Sequence, residues 1–321
     1  MNSTHTRTVL LTDFAWPDDS VERQIIEKAG FTLVSGPANP APAVVIEDLV
    51  RKHQPEAILT CWAQVSEAAI EAATNLKIVA RLGVGLDNIA VDQATRNGIW
   101  VTNVPDYCVE EVSDHAVGLA LAWTRGLVSF DREVSQGRWN PAGAALRRLK
   151  TLTVGIVGYG RIGRRTAQKL QAFNPRLLAF DPYPSKESGV AFVELDELMR
   201  QADVVIVHAP LTSTTHHLIN QERLDLLKPG SFLINVSRGG VVDTDAVIRA
   251  LESGQLSGAG LDVLEHEPQV PTKLLHHPGV IITPHVAFSS DASLVELRQR
   301  ASEEVVRVLL GEQPQQARNQ L

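Results

Sequence analysis

The sequence predicts an α/β protein built from two doubly wound parallel-sheet domains. Three observations predict it. Short β-branched runs alternate with helical patterns along nearly the whole chain. A glycine-rich turn, Gly158-x-Gly160-x-x-Gly163, follows an apolar strand near the middle. The chain has 321 residues, long for one core and comfortable for two.

The elements follow in order. The first half reads as strand RTVLLTD (7–13), a helix from about 18, strand FTLVS (31–35), a helix from about 43, strand EAILT (56–60), a helix from about 66 and strand KIVAR (77–81). Apolar strands of this length separated by helices imply parallel pairing through right-handed crossovers. Residues 109–137 read as one long helix, with acidic residues in its first turn and Gly137 at its end. The alternation then restarts with LTVGIVG (152–158), RLLAFD (176–181), DVVIVHAP (203–210), GSFLINV (230–236), GAGLDV (258–263) and GVIITP (279–284). Six strands with intervening helices make one doubly wound sheet, and a last helix near 291–310 is free to pack back on the first domain.

Bulk properties exclude several classes. Hydrophobic residues make up 44% and charged residues 21%, which argues against wholesale disorder. The net charge of −7, with no strongly basic block, argues against a nucleic-acid partner. Cys61 and Cys108 do not make a disulfide framework and read as free thiols in a reducing compartment. No stretch approaches the ~20 apolar residues of a membrane helix, and the N-terminal run has no long apolar region. The expectation is a cytoplasmic protein with no membrane and no nucleic-acid partner, and no metal is expected.

The run TVGIVGYGRIG (153–163) joins a strand to the helix RIGRRTAQKLQAF. Gly158 suits a tight turn, Gly160 lets the backbone approach a pyrophosphate, and Gly163 lets helix and strand pack closely. The phosphates would sit at the helix N-terminus. The next strand ends at Asp181, 18 residues past Gly163. A carboxylate there accepts hydrogen bonds from ribose hydroxyls and repels a 2′-phosphate. No arginine follows in DPYPSK, so the expected cofactor is NAD rather than NADP.

Three further residues each follow a predicted strand end: Arg238 in NVSRGGVVD, Glu267 in LDVLEHEP and His285 in TPHVAFSS. Ligands in open α/β sheets sit beyond the carboxyl ends of the strands, so the three are candidates to converge. Oxidising a secondary alcohol by hydride transfer requires removal of its hydroxyl proton, which a histidine can take near neutral pH. A carboxylate beside it orients the ring, and a guanidinium holds a substrate carboxylate in a two-pronged grip.

With these residues in view, the sequence resembles the D-isomer-specific 2-hydroxyacid dehydrogenases, the family of phosphoglycerate dehydrogenase and glyoxylate/hydroxypyruvate reductase. The runs RLGVGLDNI, NVPDYCVEEVSDH, GIVGYGRIG, VHAPLTSTT, INVSRGGVVD, GAGLDVLEHEP and TPHVA carry the resemblance from Arg81 to Ala287. It implies a Rossmann NAD-binding domain over 105–285 and a flavodoxin-like, discontinuous substrate domain made of 1–104 plus 286–321. It implies His285 as acid/base, Glu267 rather than Glu265 as its partner, and Arg238 on the carboxylate and carbonyl of a small 2-hydroxy or 2-keto acid docked in the interdomain cleft. Arg161 and Ile162 resemble backbone contacts to pyrophosphate, and Asp262, Val236, Ser237 and, more loosely, Pro210 resemble nicotinamide-side contacts. Val84 and Gly85 resemble backbone donors to the substrate carboxylate; Arg81 is a candidate either for added charge there or for a structural ion pair. Trp62, Gln64, Tyr107 and Phe288 are candidate pocket residues. The long helix after 109 implies a twofold homodimer.

Departures from the family narrow the expectation. The chain ends at Leu321, so serine feedback through the regulatory domain of many phosphoglycerate dehydrogenases is not expected. NVPDYCVEEVSDH and HVAFSS resemble the branch that includes the C-terminal-binding protein corepressors, which sets an NAD-sensing interaction protein against the enzyme. A further rival is a related dehydrogenase of formate or phosphite. Glu267 argues against formate, whose enzymes carry a neutral amide there, and does not decide about phosphite.

Overall fold

The computed structural model describes residues 7–14, 16–184 and 189–321. Contacts divide the chain into two units, Met1–Tyr107 with Ser290–Leu321, and Cys108–Ser289.

In the first unit β1 (Thr8–Leu11), α1 (Ser20–Lys28), β2 (Thr32–Ser35), α2 (Ala43–His53), β3 (Ala57–Thr60), α3 (Glu67–Ala72), β4 (Ile78–Arg81), α4 (Val91–Arg96) and β5 (Trp100–Thr102) alternate. The strands form one parallel sheet in the order β2-β1-β3-β4-β5. This is the flavodoxin-like order. AILT and IVAR are apolar on both faces because both faces are covered, and every residue of β3 and β4 is buried. The sequence reading missed α4 and β5. A three-residue strand is too short to show a period.

The terminal helix Asp291–Leu309 belongs to this unit. Ser290 caps it, accepting from the Ser293 N–H while the Ser293 hydroxyl accepts from the Ser290 N–H. Arg298 then grips Glu22 of α1 with two bonds of 2.9 and 2.7 Å, and the Glu22 side chain is wholly buried. A buried charge holds its place only when it is paired this well, so the pair helps seat the terminal helix on α1.

The second unit opens with α5 (Val109–Arg125) and α6 (Leu127–Ser135). The sequence predicts one helix here; Gly126, at φ 61°, takes the left-handed conformation that ends α5 and starts α6. Next come β6 (Thr153–Val157), α7 (Arg161–Gln171), β7 (Arg176–Phe180), β8 (Ala191–Phe192), α8 (Leu195–Gln201), β9 (Val204–Val207), α9 (Gln221–Asp225), β10 (Ser231–Asn235), α10 (Thr244–Glu252), β11 (Leu256–Leu261), α11 (Thr272–Leu275) and β12 (Val280–Ile282). Their order in the sheet is β12-β11-β10-β9-β6-β7-β8. The chain winds outward in both directions from β6, which makes this a doubly wound Rossmann sheet. The two-residue β8 was not predicted, again for its length. The core lies under β6, β9 and β10, where Ile156, Val205, Ile206 and Leu233 are fully buried.

Among the described residues no helix is long and apolar enough to cross a membrane.

Candidate active site

The glycine turn stands between β6 and α7. Gly158 has φ 93°, and a Cβ there would lie 2.7 Å from the Ala209 nitrogen, so only glycine fits. A Cβ on Gly163 would meet the Gly158 carbonyl oxygen at 2.2 Å, which explains the close seat of α7 on the turn. A Cβ on Gly160 would meet nothing within 4 Å. The backbone is thus bare on the one side where a pyrophosphate would approach, at the start of an 11-residue helix. Arg161 and Ile162 open that helix.

Asp181 follows β7. Its Oδ2 accepts the Tyr159 N–H at 2.7 Å and its Oδ1 accepts the Tyr183 N–H at 2.9 Å. These bonds tie the carboxylate to the glycine turn and keep it at the strand end where a ribose would lie. The residues 185–188, which complete the DPYPSK run and its surroundings, lie outside the described residues. Under the turn His208 is half-buried, and desolvation pushes its imidazole down to about 3. The ring is therefore neutral, bonded to Thr166 of α7 at 3.0 Å. The glycine, carboxylate and strand-end geometry fits a dinucleotide.

Arg238 lies on the turn after β10. Asn235, 1% exposed, builds this turn: its Nδ2 donates to the Arg238 carbonyl at 2.9 Å, and its Oδ1 accepts from the Ser237 N–H and hydroxyl. Val236 is buried and Pro210 is exposed. Gly239 lets the turn approach the loop after β11, because a Cβ there would fall 2.0 Å from the Leu264 backbone. That loop carries Glu267.

The Glu267 carboxylate accepts the Leu264 N–H at 2.9 Å through Oε1 and meets His285 Nδ1 at 2.8 Å through Oε2. Burial, the largest single influence, pushes this carboxyl up. The His285 hydrogen bond and charge, the Leu264 N–H and the Arg238 charge outweigh it and hold Glu267 below the usual range. His285 itself has φ 53°, a left-handed conformation unusual for a side chain of its size, and Phe288 stands edge-on to its ring at 6.2 Å. Glu265 faces elsewhere. Its Oε1 lies 2.6 Å from His217 Nε2 and its Oε2 accepts the Thr244 N–H at 2.8 Å. His216, His217 and Glu265 also offer three ligand atoms within 4.8 Å of one another, a group the sequence reading did not notice.

Asp262 is 2% exposed. Its carboxylate accepts from Thr283, Val286 and Ala287, and these bonds hold the loop that carries His285.

In the other unit, Val84 and Gly85 are half-buried, and among the described residues neither backbone N–H has an acceptor. Arg81 is 5% exposed and turns its guanidinium onto its own loop, donating to Asn88 at 3.0 Å and to the Leu82 carbonyl. Its bonds are those of a residue shaping the 82–88 loop, and its described partners are amide and carbonyl oxygens rather than a carboxylate. Asp13, which the sequence reading passed over, accepts the Cys61, Trp62 and Ala63 N–H groups from the end of β1 and shapes the loop bearing Trp62 and Gln64. Its position at a strand end was the only signal. Tyr107 is 7% exposed, as a packing residue is.

Fold and turn together define a nucleotide-binding α/β protein. Residues 117–287 match the NAD-binding domain of the D-isomer-specific 2-hydroxyacid dehydrogenases. A glyoxylate reductase of Pyrococcus furiosus is 40% identical over 267 residues, 79% of this chain and 78% of the relative. The D-lactate dehydrogenase of Aquifex aeolicus, solved with NAD and lactic acid, superposes with a TM-score of 0.85 at 32% identity, over 95% of this chain and 96% of that one. An NADPH-dependent glyoxylate/hydroxypyruvate reductase of Sinorhizobium meliloti gives the same TM-score and identity over 97% of this chain and 96% of that one. The chain belongs to the D-isomer-specific 2-hydroxyacid dehydrogenase family, and it is an NAD-dependent D-2-hydroxyacid dehydrogenase.

Proposed function

We propose that this enzyme interconverts a small 2-keto acid of the glyoxylate class with its 2-hydroxy acid, with His285 as acid/base. The observation that carries the reading is the 2.8 Å pair of Glu267 and His285 on loops at the carboxyl ends of β11 and β12.

Glu267, held ionised, can only accept, so His285 must carry a proton on Nδ1. That assigns Nε2 to the substrate oxygen. In reduction the imidazolium donates the Nε2 proton to the carbonyl oxygen; in oxidation the neutral ring takes the hydroxyl proton at the same atom. Glu267 keeps the ring oriented and stabilises its charge in the protonated form. Arg238 binds the substrate carboxylate and polarises the carbonyl oxygen. The Val84 and Gly85 N–H groups are further donors to that carboxylate, with Arg81 acting through the shape of their loop. Gly158, Gly160, Arg161, Ile162 and Gly163 hold the pyrophosphate, Asp181 the ribose, and Pro210, Val236, Ser237 and Asp262 the nicotinamide side. When bound, NADH supplies the hydride to C2. The chain works as a homodimer in this reading, with residues 1–104 plus 286–321 as the substrate domain and 105–285 as the cofactor domain.

The test is NADH consumption against glyoxylate, hydroxypyruvate, pyruvate, phosphohydroxypyruvate and bulkier or sulfonated keto acids, with NADPH in parallel. Turnover of one acid that prefers NADH and vanishes in His285→Ala supports the reading. Silence across the panel with intact NADH binding overturns it in favour of an NAD-sensing binding protein.

A further inference from the structure

The segment 283–287 carries His285, and one buried carboxylate shapes it. Asp262 Oδ1 accepts the Thr283 hydroxyl at 2.6 Å and the Val286 N–H at 2.9 Å, while Oδ2 accepts the Ala287 N–H at 2.9 Å. The Asp262 carbonyl accepts the His285 N–H at 2.8 Å. Donors on both sides of His285 are thus gathered by one residue of the neighbouring strand end. His285 sits between them at φ 53°, a left-handed conformation uncommon for residues other than glycine.

A second layer lies behind Asp262. His115, on α5, has its Nε2 3.0 Å from the Thr283 hydroxyl and 3.8 Å from Asp262 Oδ1. The direction of these bonds follows from the inventory of donors. An ionised carboxylate only accepts, so Thr283 gives its single proton to Asp262. The Thr283 oxygen must then accept from His115, which places a proton on His115 Nε2. The bonds run one way, from His115 to Thr283 to Asp262. A chain of this kind is stiffer than any one of its bonds, because each donor is committed.

We propose that Thr283 and His115 are positioning residues for the reaction: they lock Asp262, and Asp262 locks the loop that aims the His285 ring at Glu267 and the substrate oxygen. Neither touches the substrate in this scheme. The inference rests on the reading of His285 as acid/base.

The test compares conservative pairs of variants in the intact enzyme, using the fastest acid of the keto-acid panel. Thr283→Val removes the hydroxyl at nearly constant shape. Its kcat is expected to fall on the order of tenfold or more, since a partly buried hydrogen bond to a buried carboxylate is lost. The KM for the acid and the dissociation constant for NADH, read by fluorescence, stay within about threefold, the size of effect expected when neither binding contact is removed. Thr283→Ser keeps the donor and restores kcat. His115→Leu behaves as Thr283→Val, and His115→Gln, which carries an N–H at a similar reach, behaves as wild type. Unchanged kcat in Thr283→Val overturns the proposal. So does a Thr283→Ser variant as slow as Thr283→Val, which would mark a packing role. If Thr283→Val fails to fold, the two His115 variants decide by the same criteria. His285→Ala is measured alongside. Turnover surviving in it removes the acid/base reading and this proposal together, whereas its loss with full activity in Thr283→Val removes the positioning role alone.

Discussion

Two glutamate–histidine pairs share one loop of this enzyme and differ in almost nothing local. Glu265 meets His217 at 2.6 Å, and Glu267 meets His285 at 2.8 Å. Each glutamate gives its other oxygen to a backbone N–H, from Thr244 and Leu264 respectively. Both histidines are left-handed, at φ 50° and 53°. In both glutamates burial pushes the carboxyl up and is outweighed by hydrogen bonds and charge, so both stay below the usual range. The difference lies in the surroundings. His285 follows β12 and sits in the loop that Asp262 gathers, and Glu267 feels the charge of Arg238. His217 lies on the loop after Pro210, stacked on His216 at 4.0 Å, and its pair joins that loop to the start of α10. The two pairs are alike in themselves, so what each one faces is what sets them apart.

The comparison can be broken most directly at the two histidines. His285→Asn is expected to lower kcat by about 10²- to 10⁴-fold, the usual contribution of a general acid/base, while His217→Asn leaves kcat within about twofold. Equal losses in steady-state kinetics would erase the distinction. The glutamates come next. Glu267→Gln should lower kcat on the order of 10- to 100-fold through the loss of a charge-assisted bond, with Glu265→Gln showing no comparable change. Arg238→Lys sharpens the point by keeping the charge and removing the fork. Its kcat/KM for the keto acid is expected to fall about tenfold or more, with NADH affinity read by fluorescence unchanged.

The smallest expected effect is one the two pairs should share. A carboxyl held below its ordinary value contributes stability that is present above that value, 4.5 for glutamate, and is lost as pH falls through the folded one. Glu265→Gln and Glu267→Gln should each flatten the acid side of the Tm profile below pH 4.5 and leave its slope at pH 6–8 alone. Both pairs are partly exposed, so a shift of only about 2 °C is expected at neutral pH. A variant that changed the slope near neutrality would show that a group other than the carboxyl is being read by calorimetry.

Much of this was legible from the chain alone. Strand cores such as VVIV and AILT announce themselves because a parallel strand covered on both faces must be apolar throughout. The glycine turn is legible because Gly158 and Gly163 stand where a Cβ would collide with backbone. The short β5 and β8 and the break at Gly126 were not, since two or three residues carry no period and a lone glycine does not say which conformation it takes. By itself the sequence determined the two α/β domains, the dinucleotide turn and the residue types needed for hydride transfer, because these depend on local period and spacing. Only the tertiary structure decided that Glu267 faces His285 while Glu265 faces His217, and that Asp262, Thr283 and His115 meet behind the loop. The last three residues span 168 positions in the chain, and their meeting is set by the order in which strands and helices pack, which no local pattern records.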